Sequence, residues 1–297
     1  MSLRTAVTRR AGLLWGFVGI LAFSFTLPFT RVAVGSMDPF FISLGRAVVA
    51  GTLALIVLLA VRPIRPVGRQ WLRLSVVALG VVVGFPVFTS LALHSVPSAH
   101  GTVVIALLPA VTAMFVVLRT RERPSRVFWF ASIAGALSVV VFLSVSNGIG
   151  HFQLADLYLV LAVIAAAAGY TEGGLLSREL GSWQVICWAL VLSLPIMAVL
   201  TGVNMASTPL SSEPIAWLCF GYISVCSMFL GFFAWYRGLA IGPMATVSQV
   251  QLVQPVLSLL WCWLILGEEL TLPIILGGVV VIAFALTAVR ARVKISK

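Results

Sequence analysis

The chain has 297 residues, of which 61% are hydrophobic and 9% charged, where a soluble domain carries roughly 25% charged residues. That composition excludes an ordinary soluble globular protein and points to a membrane protein. The formal charge of +11 would suit a nucleic-acid partner, but the placement of the charges assigns it to membrane topology instead.

A spanning helix needs about 20 mostly apolar residues. Ten segments meet that requirement: 11–30, 39–61, 72–93, 98–118, 127–146, 155–176, 184–202, 214–236, 244–266 and 272–289. Arg4, Arg9 and Arg10 precede the first run, as in a secretory signal. The run is longer than the roughly 7–15 residues of a signal core, so it reads as an uncleaved first span. The connectors are short, and none could form a separate soluble domain. Cys187, Cys219, Cys226 and Cys262 all lie within apolar runs and read as small buried hydrophobes. No metal-ligand spacing and no cofactor motif occurs.

Counting lysine and arginine by connector sets an orientation. With the N-terminus in the cytoplasm, 17 of the 19 basic residues fall on the inner side, leaving Arg31 outside and Arg46 within a helix. Asp38, Asp156, Glu213, Glu268 and Glu269 fall on the outer side. The positive-inside rule therefore places both termini in the cytoplasm. The expected setting is a bacterial cytoplasmic membrane, with anionic lipid head groups near the basic side and no nucleic acid.

The segment 238–271 has an echo 146 residues upstream. Pro97 aligns with Pro243, Pro109 with Pro255 and Glu122 with Glu268, without a gap, and Leu93/Leu239, Ala99/Ala245, Val104/Val250 and Leu118/Leu264 also match. This register divides the chain into two five-helix repeats, 1–150 and 151–297. An odd number of helices per repeat inverts the second half relative to the first. The expected fold is all-α and integral to the membrane, with ten helices in two inverted repeats. Such halves can open a central site to either side in turn. An internally duplicated chain completes its own pathway, so a monomer suffices.

These residues resemble the drug/metabolite transporter superfamily, in its ten-helix EamA-type branch. The resemblance is carried by ALHSVPSAHGTVVIALLPAVTAM (92–114) and GLAIGPMATVSQVQLVQPVLSLLWCWLILGEELT (238–271), with Trp15-Gly16, Arg46 and Gly169-Tyr170 in the same pattern. It implies a metabolite or drug exporter with helices 1, 3, 4, 6, 8 and 9 around the cavity. In overall look the chain is similar to bacterial exporters of aromatic amino acids. Small four-helix members carry a proton-linked glutamate in helix 1. Trp15 to Phe29 contains no acid here, so proton coupling is not carried over.

The site is expected where the repeats are interrupted. Pro109 and Pro255 stand about 18 Å into their helices, near the middle of a roughly 30 Å core. Each removes a backbone donor, which would free the carbonyls of Ile105 and Gln251. Those carbonyls would meet either a neighbouring helix or a substrate ammonium. Ser248, Gln251, Pro255 and Ser258 share one helical face, with Gln254 beside it. Glutamine donates and accepts, which suits a zwitterion, although bonding between helices would use the same groups. Trp71, Trp183 and Trp217 sit at helix ends and read as an interfacial belt. Trp15, Tyr170, Tyr222 and Tyr236 are the aromatic candidates for substrate contact.

Three kinds of titratable position remain. Glu172 is an acid within a helix, about 24 Å past Asp156. It reads either as a coupling site or as the partner of Arg178 or another inner arginine. Arg46, about 10 Å from the outer face, is expected to be structural, snorkelling or bonding backbone carbonyls. His94 and His100 flank the outer turn between helices 3 and 4, where they could sense pH or simply sit at the surface.

The leading function is export of small amphipathic metabolites, with amino acids, aromatic ones included, as the expected substrates. A proton-coupled exporter of cationic drugs is the alternative and would need Glu172 in the cavity. The sequence has no HExxH, no GxSxG and no His/Cys cluster for an enzyme. It has no GxxxxGK[ST] loop for ATP hydrolysis and no filter signature for a channel.

Overall fold

The computed structural model describes residues 3–120, 125–147, 153–208, 211–241 and 247–293. These residues form helices and no strand. The reason is physical: in hydrocarbon every backbone donor and acceptor must be satisfied within its own segment.

In chain order, α1 runs Leu3–Ser24 and, after a turn at Phe25, Thr26–Val34. Helix α2 is Pro39–Val61 and α3 is Arg69–Ser95. Helix α4 comprises Ser98–Ile105 and Leu108–Thr120. Then come α5 (Arg126–Asn147), α6 (Leu154–Leu176), α7 (Ser182–Ser207) and α8 (Pro214–Ile241). Helix α9 opens as a 3-10 turn over Ser248–Val253 and continues as Gln254–Leu266. Helix α10 is Leu272–Val293.

Local chemistry sets several of these ends. Asp38 caps α2 by accepting from the amides of Phe40 (2.9 Å) and Phe41 (3.0 Å), ahead of Pro39 in the first turn. Gln153 and Asp156 form a capping box on α6. Gly267 ends α9 in the left-handed region (φ 63°), a conformation that glycine adopts without penalty.

Seven described helices are long and apolar enough to cross a membrane, while α5, α9 and α10 carry shorter apolar runs. Leu14, Val18, Ile56, Leu59, Ile133, Leu137, Val199 and Val279 are all exposed. Apolar surface on that scale is stable only against lipid. The protein is integral to a membrane.

Packing follows the repeat. Helix α2 lies on α7, α5 on α10, α1 on α8, and α3 on α6. The last two pairs approach closely through glycine: Gly19 faces the Trp235 backbone, and Gly80 faces the backbones of Ala165 and Gly169. A β-carbon at either glycine would meet backbone, so these positions fix the spacing of the helices.

The irregular turns repeat as well. The middle of α3 is π-helical over Ala78–Gly84, and that of α8 over Ile223–Gly231. Shifted by 146 residues, the first stretch falls inside the second. The break at Ala106 and Leu107 in α4, shifted likewise, falls inside the 3-10 turn that opens α9. Thus the two halves share the regular helices and also the places where the helix is given up.

Candidate functional site

Side chains of other helices collect on α1 at the turn at Phe25. The Ser24 carbonyl accepts from the Ser258 hydroxyl at 2.8 Å. The Ser24 hydroxyl donates to the Leu21 carbonyl (2.7 Å) and accepts from the Trp261 indole (2.9 Å). Phe25 stacks on Trp261 with ring centroids 4.6 Å apart. The hydroxyls of Thr26 and Ser227 are 2.7 Å apart. Helices α1, α8 and α9 therefore meet at one level.

Beside this junction the broken helices α4 and α9 face each other. Thr102, Ile105, Leu108 and Pro109 of α4 oppose Gln251, Gln254, Pro255 and Ser258 of α9, with Leu27 at the edge. The space between them is about 10 Å³, no more than the roughly 10–15 Å³ that a single water needs, so the centre is closed to a metabolite. Gln251 and Gln254 are 1% and 7% exposed. Both amide atoms of Gln251, and Oε1 of Gln254, are buried without a hydrogen-bond partner among the described residues. A buried unpaired polar group costs about 1–3 kcal/mol. A sequence that keeps two side by side maintains a polar centre at the expense of stability.

The local geometry departs from a kinked α-helix. The Gln251 carbonyl, expected to be free, accepts the Gln254 amide instead. In a 3-10 turn the donor lies three residues on rather than four, so Pro255 deprives it of nothing. Pro255 falls in the first turn of the following α-helix, where a missing amide is harmless. The same tightening aligns Gln254 with Gln251, because residues three apart eclipse. Ser258 is buried in line with them, while the Ser248 side chain lies outside the described residues.

The aromatic candidates separate. Tyr170 and Tyr236 are buried. Tyr170 lies parallel to Phe23, with centroids 6.2 Å apart, and contacts Phe232 and Trp235. The Tyr236 hydroxyl donates to the Gly169 carbonyl at 3.3 Å. Tyr222 donates to the Ala22 carbonyl at 3.2 Å and packs edge-on to Phe25 and Phe29. Trp15 stands apart from this centre. It is 42% exposed, with the Arg237 guanidinium 5.3 Å from its ring centroid, a cation–π contact suited to a membrane surface.

Both ends of the bundle are tied. At the end where α1 begins, Glu172 accepts from Arg73 Nε at 2.7 Å and from Arg119 Nε, two of the other arginines expected on the inner side rather than Arg178. Arg73 also bonds Glu179 at 2.6 Å. A cleft of about 430 Å³ opens there, lined by Arg69, Arg73, Arg119 and Glu172 among others.

At the opposite end, Arg31 donates to the carbonyls of Leu93 and His94. Glu268 accepts from the amides of Ser98 (2.9 Å) and Ala99 (2.7 Å) and from the Ser98 hydroxyl (2.8 Å). A carboxylate is favoured on a helix N-terminus, which explains the acid in the repeat. Its counterpart Glu122, like Pro243, lies outside the described residues. His94 is exposed, but His100 is not the surface residue its place in the turn suggested. It is 6% exposed and bonded to Asp156 at 2.8 Å, tying α4 to α6. Residues 56 apart in sequence carry no local signal of such a pair.

Arg46 also departs from expectation. It is 2% exposed, so it does not snorkel, and its Nε and Nη1 have no hydrogen-bond partner among the described residues. A cavity of about 590 Å³ lies between α5 and α10. Its lining, including Leu137, Val145, Leu276 and Val280, is apolar and lipid-facing. It lacks the convergent polar groups of a metabolite site.

A helical membrane bundle with two-fold repeated interruptions meeting at a polar centre defines a transporter. The EamA-like transporter family model matches the chain twice, over residues 10–144 and 153–290, and the chain belongs to that family. It is 47% identical over 270 residues to the uncharacterized transporter YdeK of Bacillus subtilis (strain 168), covering 90% of this chain and 93% of that protein. It is 24% identical over 245 residues to protein PecM of Dickeya dadantii (strain 3937), covering 78% and 77%. A solved crystal structure superposes with a TM-score of 0.65 at 20% identity, covering 97% of this chain and 100% of that one, a likeness of fold.

Proposed function

We infer that the protein exports small amphipathic metabolites, amino acids and aromatic ones among them, by alternating access around the centre between α4 and α9. In this reading the chain crosses a bacterial cytoplasmic membrane ten times as two inverted five-helix repeats, with both termini in the cytoplasm, and works as a monomer. The observation that carries it is the pair of buried glutamines at the point where the repeat-related interruptions converge, Gln251 with both amide atoms and Gln254 with Oε1 unpartnered among the described residues. An amide that both donates and accepts suits the two ends of a zwitterion, and the aliphatic lining of Leu27, Ile105 and Leu108 suits an apolar side chain.

The ties at the two ends support the same reading. An alternating-access protein needs contacts that can open at one end while they hold at the other. Arg73, Arg119 and Glu172 supply such a tie at the α1 end, and Arg31 and Glu268 at the other. The competing reading, proton-coupled export of cationic drugs, needs a carboxylate at the centre. Glu172 is engaged by two arginines at the bundle end, which favours the amphipathic metabolite.

Replacing Gln251 and Gln254 together by alanine removes the polar centre. The expected result is loss of most transport with a folded protein whose melting temperature is unchanged or raised, because the unpaired groups are costly. Normal transport by the double variant would remove the site.

A further inference from the structure

We propose that the cleft at the α1 end is a binding site for one anionic phospholipid, whose phosphodiester bridges Arg69 of α3 and Arg119 of α4. The proposal rests on the protein being integral to a membrane and is independent of the molecule it transports.

The cleft, about 430 Å³, is lined by Arg69, Leu72, Arg73 and Val76 of α3, Arg119 of α4 and Glu172 of α6. The four residues of α3 recur at +3, +4 and +7 and so share one helical face. Helices α3 and α4 both pack on α6, which makes α6 the floor of the cleft, with Glu172 on it. Arg73 is divided between Glu172 and Glu179. Arg119 gives its Nε to Glu172, and among the described residues its two terminal nitrogens have no acceptor. Arg69 is exposed and has no partner among the described residues.

The charges leave a remainder. Arg69, Arg73 and Arg119 stand against Glu172 and Glu179, three positive charges against two negative. A phosphodiester carries one negative charge, which closes that balance, and its oxygens accept from guanidinium groups in strong charge-assisted bonds. Basic loops attract anionic lipid wherever they meet the membrane surface. Here the donors come from two helices and bracket a cavity, so the phosphate has a fixed place.

The apolar side of the cleft selects a lipid over a soluble anion. Leu72 is 68% exposed, and Leu79, farther along α3, is 66% exposed. Leu72, Val76 and Leu79 form a stripe leading from Arg69 towards the middle of the membrane. Leu79 lies ten residues past Arg69, about 15 Å along the helix, half of a roughly 30 Å hydrocarbon core. That is a head-group cradle with an acyl-chain track below it. A phosphate held by Arg69 and Arg119 joins α3 to α4 across α6 and reinforces the tie made by Glu172. The lipid therefore favours the conformation closed at this end.

The test is native mass spectrometry of the purified full-length protein, titrated in detergent with phosphatidylglycerol or with zwitterionic phosphatidylcholine. One phosphatidylglycerol should be retained in preference to phosphatidylcholine. Arg69→Gln and Arg119→Gln should each weaken its binding about tenfold or more, the loss of a charge-assisted contact, and Leu72→Gln should weaken it too. Arg65→Gln and Arg178→Gln, at exposed arginines outside this cleft, should leave it unchanged. Arg69 bonds no described residue, so Arg69→Gln should fold and melt like the wild type and keeps the test valid if Arg119→Gln is unstable. In phosphatidylcholine nanodiscs, added phosphatidylglycerol should raise the melting temperature of the wild type and not that of Arg69→Gln.

Equal retention of the two lipids, or an equal loss of affinity in Arg65→Gln and Arg178→Gln, would overturn the site and leave a general attraction to a basic surface. Displacement of phosphatidylglycerol by inorganic phosphate, or binding undiminished by Leu72→Gln, would overturn the lipid assignment and make the cleft a site for a soluble anion.

Discussion

Glutamine at the middle of a membrane is uncommon enough to be seen in a sequence, and Gln251 and Gln254 were legible as candidates for that reason. Whether a polar side chain is paired is set by its partners on other helices, so the sequence left that open. It also left open that Glu172 meets Arg73 and Arg119, which stand 99 and 53 residues away. Trp15 was legible as an aromatic residue in a family-typical dipeptide, but the face of α1 it occupies depends on how α1 lies on α8.

One tie at the α1 end carries a pH dependence. The Arg73 hydrogen bond holds the Glu179 carboxyl below its usual range. A depressed folded value gives a contribution that is complete above the unfolded value of about 4.3. It is lost as the pH falls through the folded value. Glu179 is 46% exposed, so solvent screening keeps its contribution under about 1 kcal/mol. The melting-temperature difference between wild type and Glu179→Gln should be small and constant from about pH 8 to 5, and should shrink below about pH 4. A difference that grows towards acid pH would contradict this assignment.

At the scale of elements, the helices follow from apolar length and the caps from their residues, so the regular parts could be read directly. The interruptions were half legible. Pro109 and Pro255 announced them, but simple proline geometry implied a kink with a free carbonyl. The 3-10 turn at Ser248–Val253 and the π-helical stretches in α3 and α8 arise with packing between helices. These have no residue signature of their own.

The distinction is measurable. An interior proline costs a helix about 3 kcal/mol, so a proline in mid-helix should stabilise the protein when replaced by alanine. Pro255 stands in a first turn, where the change is worth within about 1 kcal/mol. Pro255→Ala should therefore shift the melting temperature by no more than a few degrees while impairing transport. A large rise in melting temperature would show that α9 is a strained continuous helix instead.

At the scale of the whole molecule, the register of 146 residues was the most informative feature of the sequence. It foretold that α4 and α9 would be interrupted at matching places. The structure extends the same register to the π-helical parts of α3 and α8. A two-fold repeated break at one closed centre, with separate ties at each end, is what alternating access requires. In the proposed reading, exchange of substrate across the membrane is the behaviour expected of it.

The measurement that tests this most directly is counterflow in proteoliposomes at equal pH on both sides, with single unlabelled amino acids in the lumen and labelled phenylalanine outside. The account predicts uptake of label only when the lumen holds an amino acid the protein carries, and loss of that uptake in the Gln251→Ala, Gln254→Ala variant. Uptake that does not depend on luminal substrate would contradict alternating access, and no exchange with any amino acid, with or without an imposed pH gradient, would contradict the substrate class.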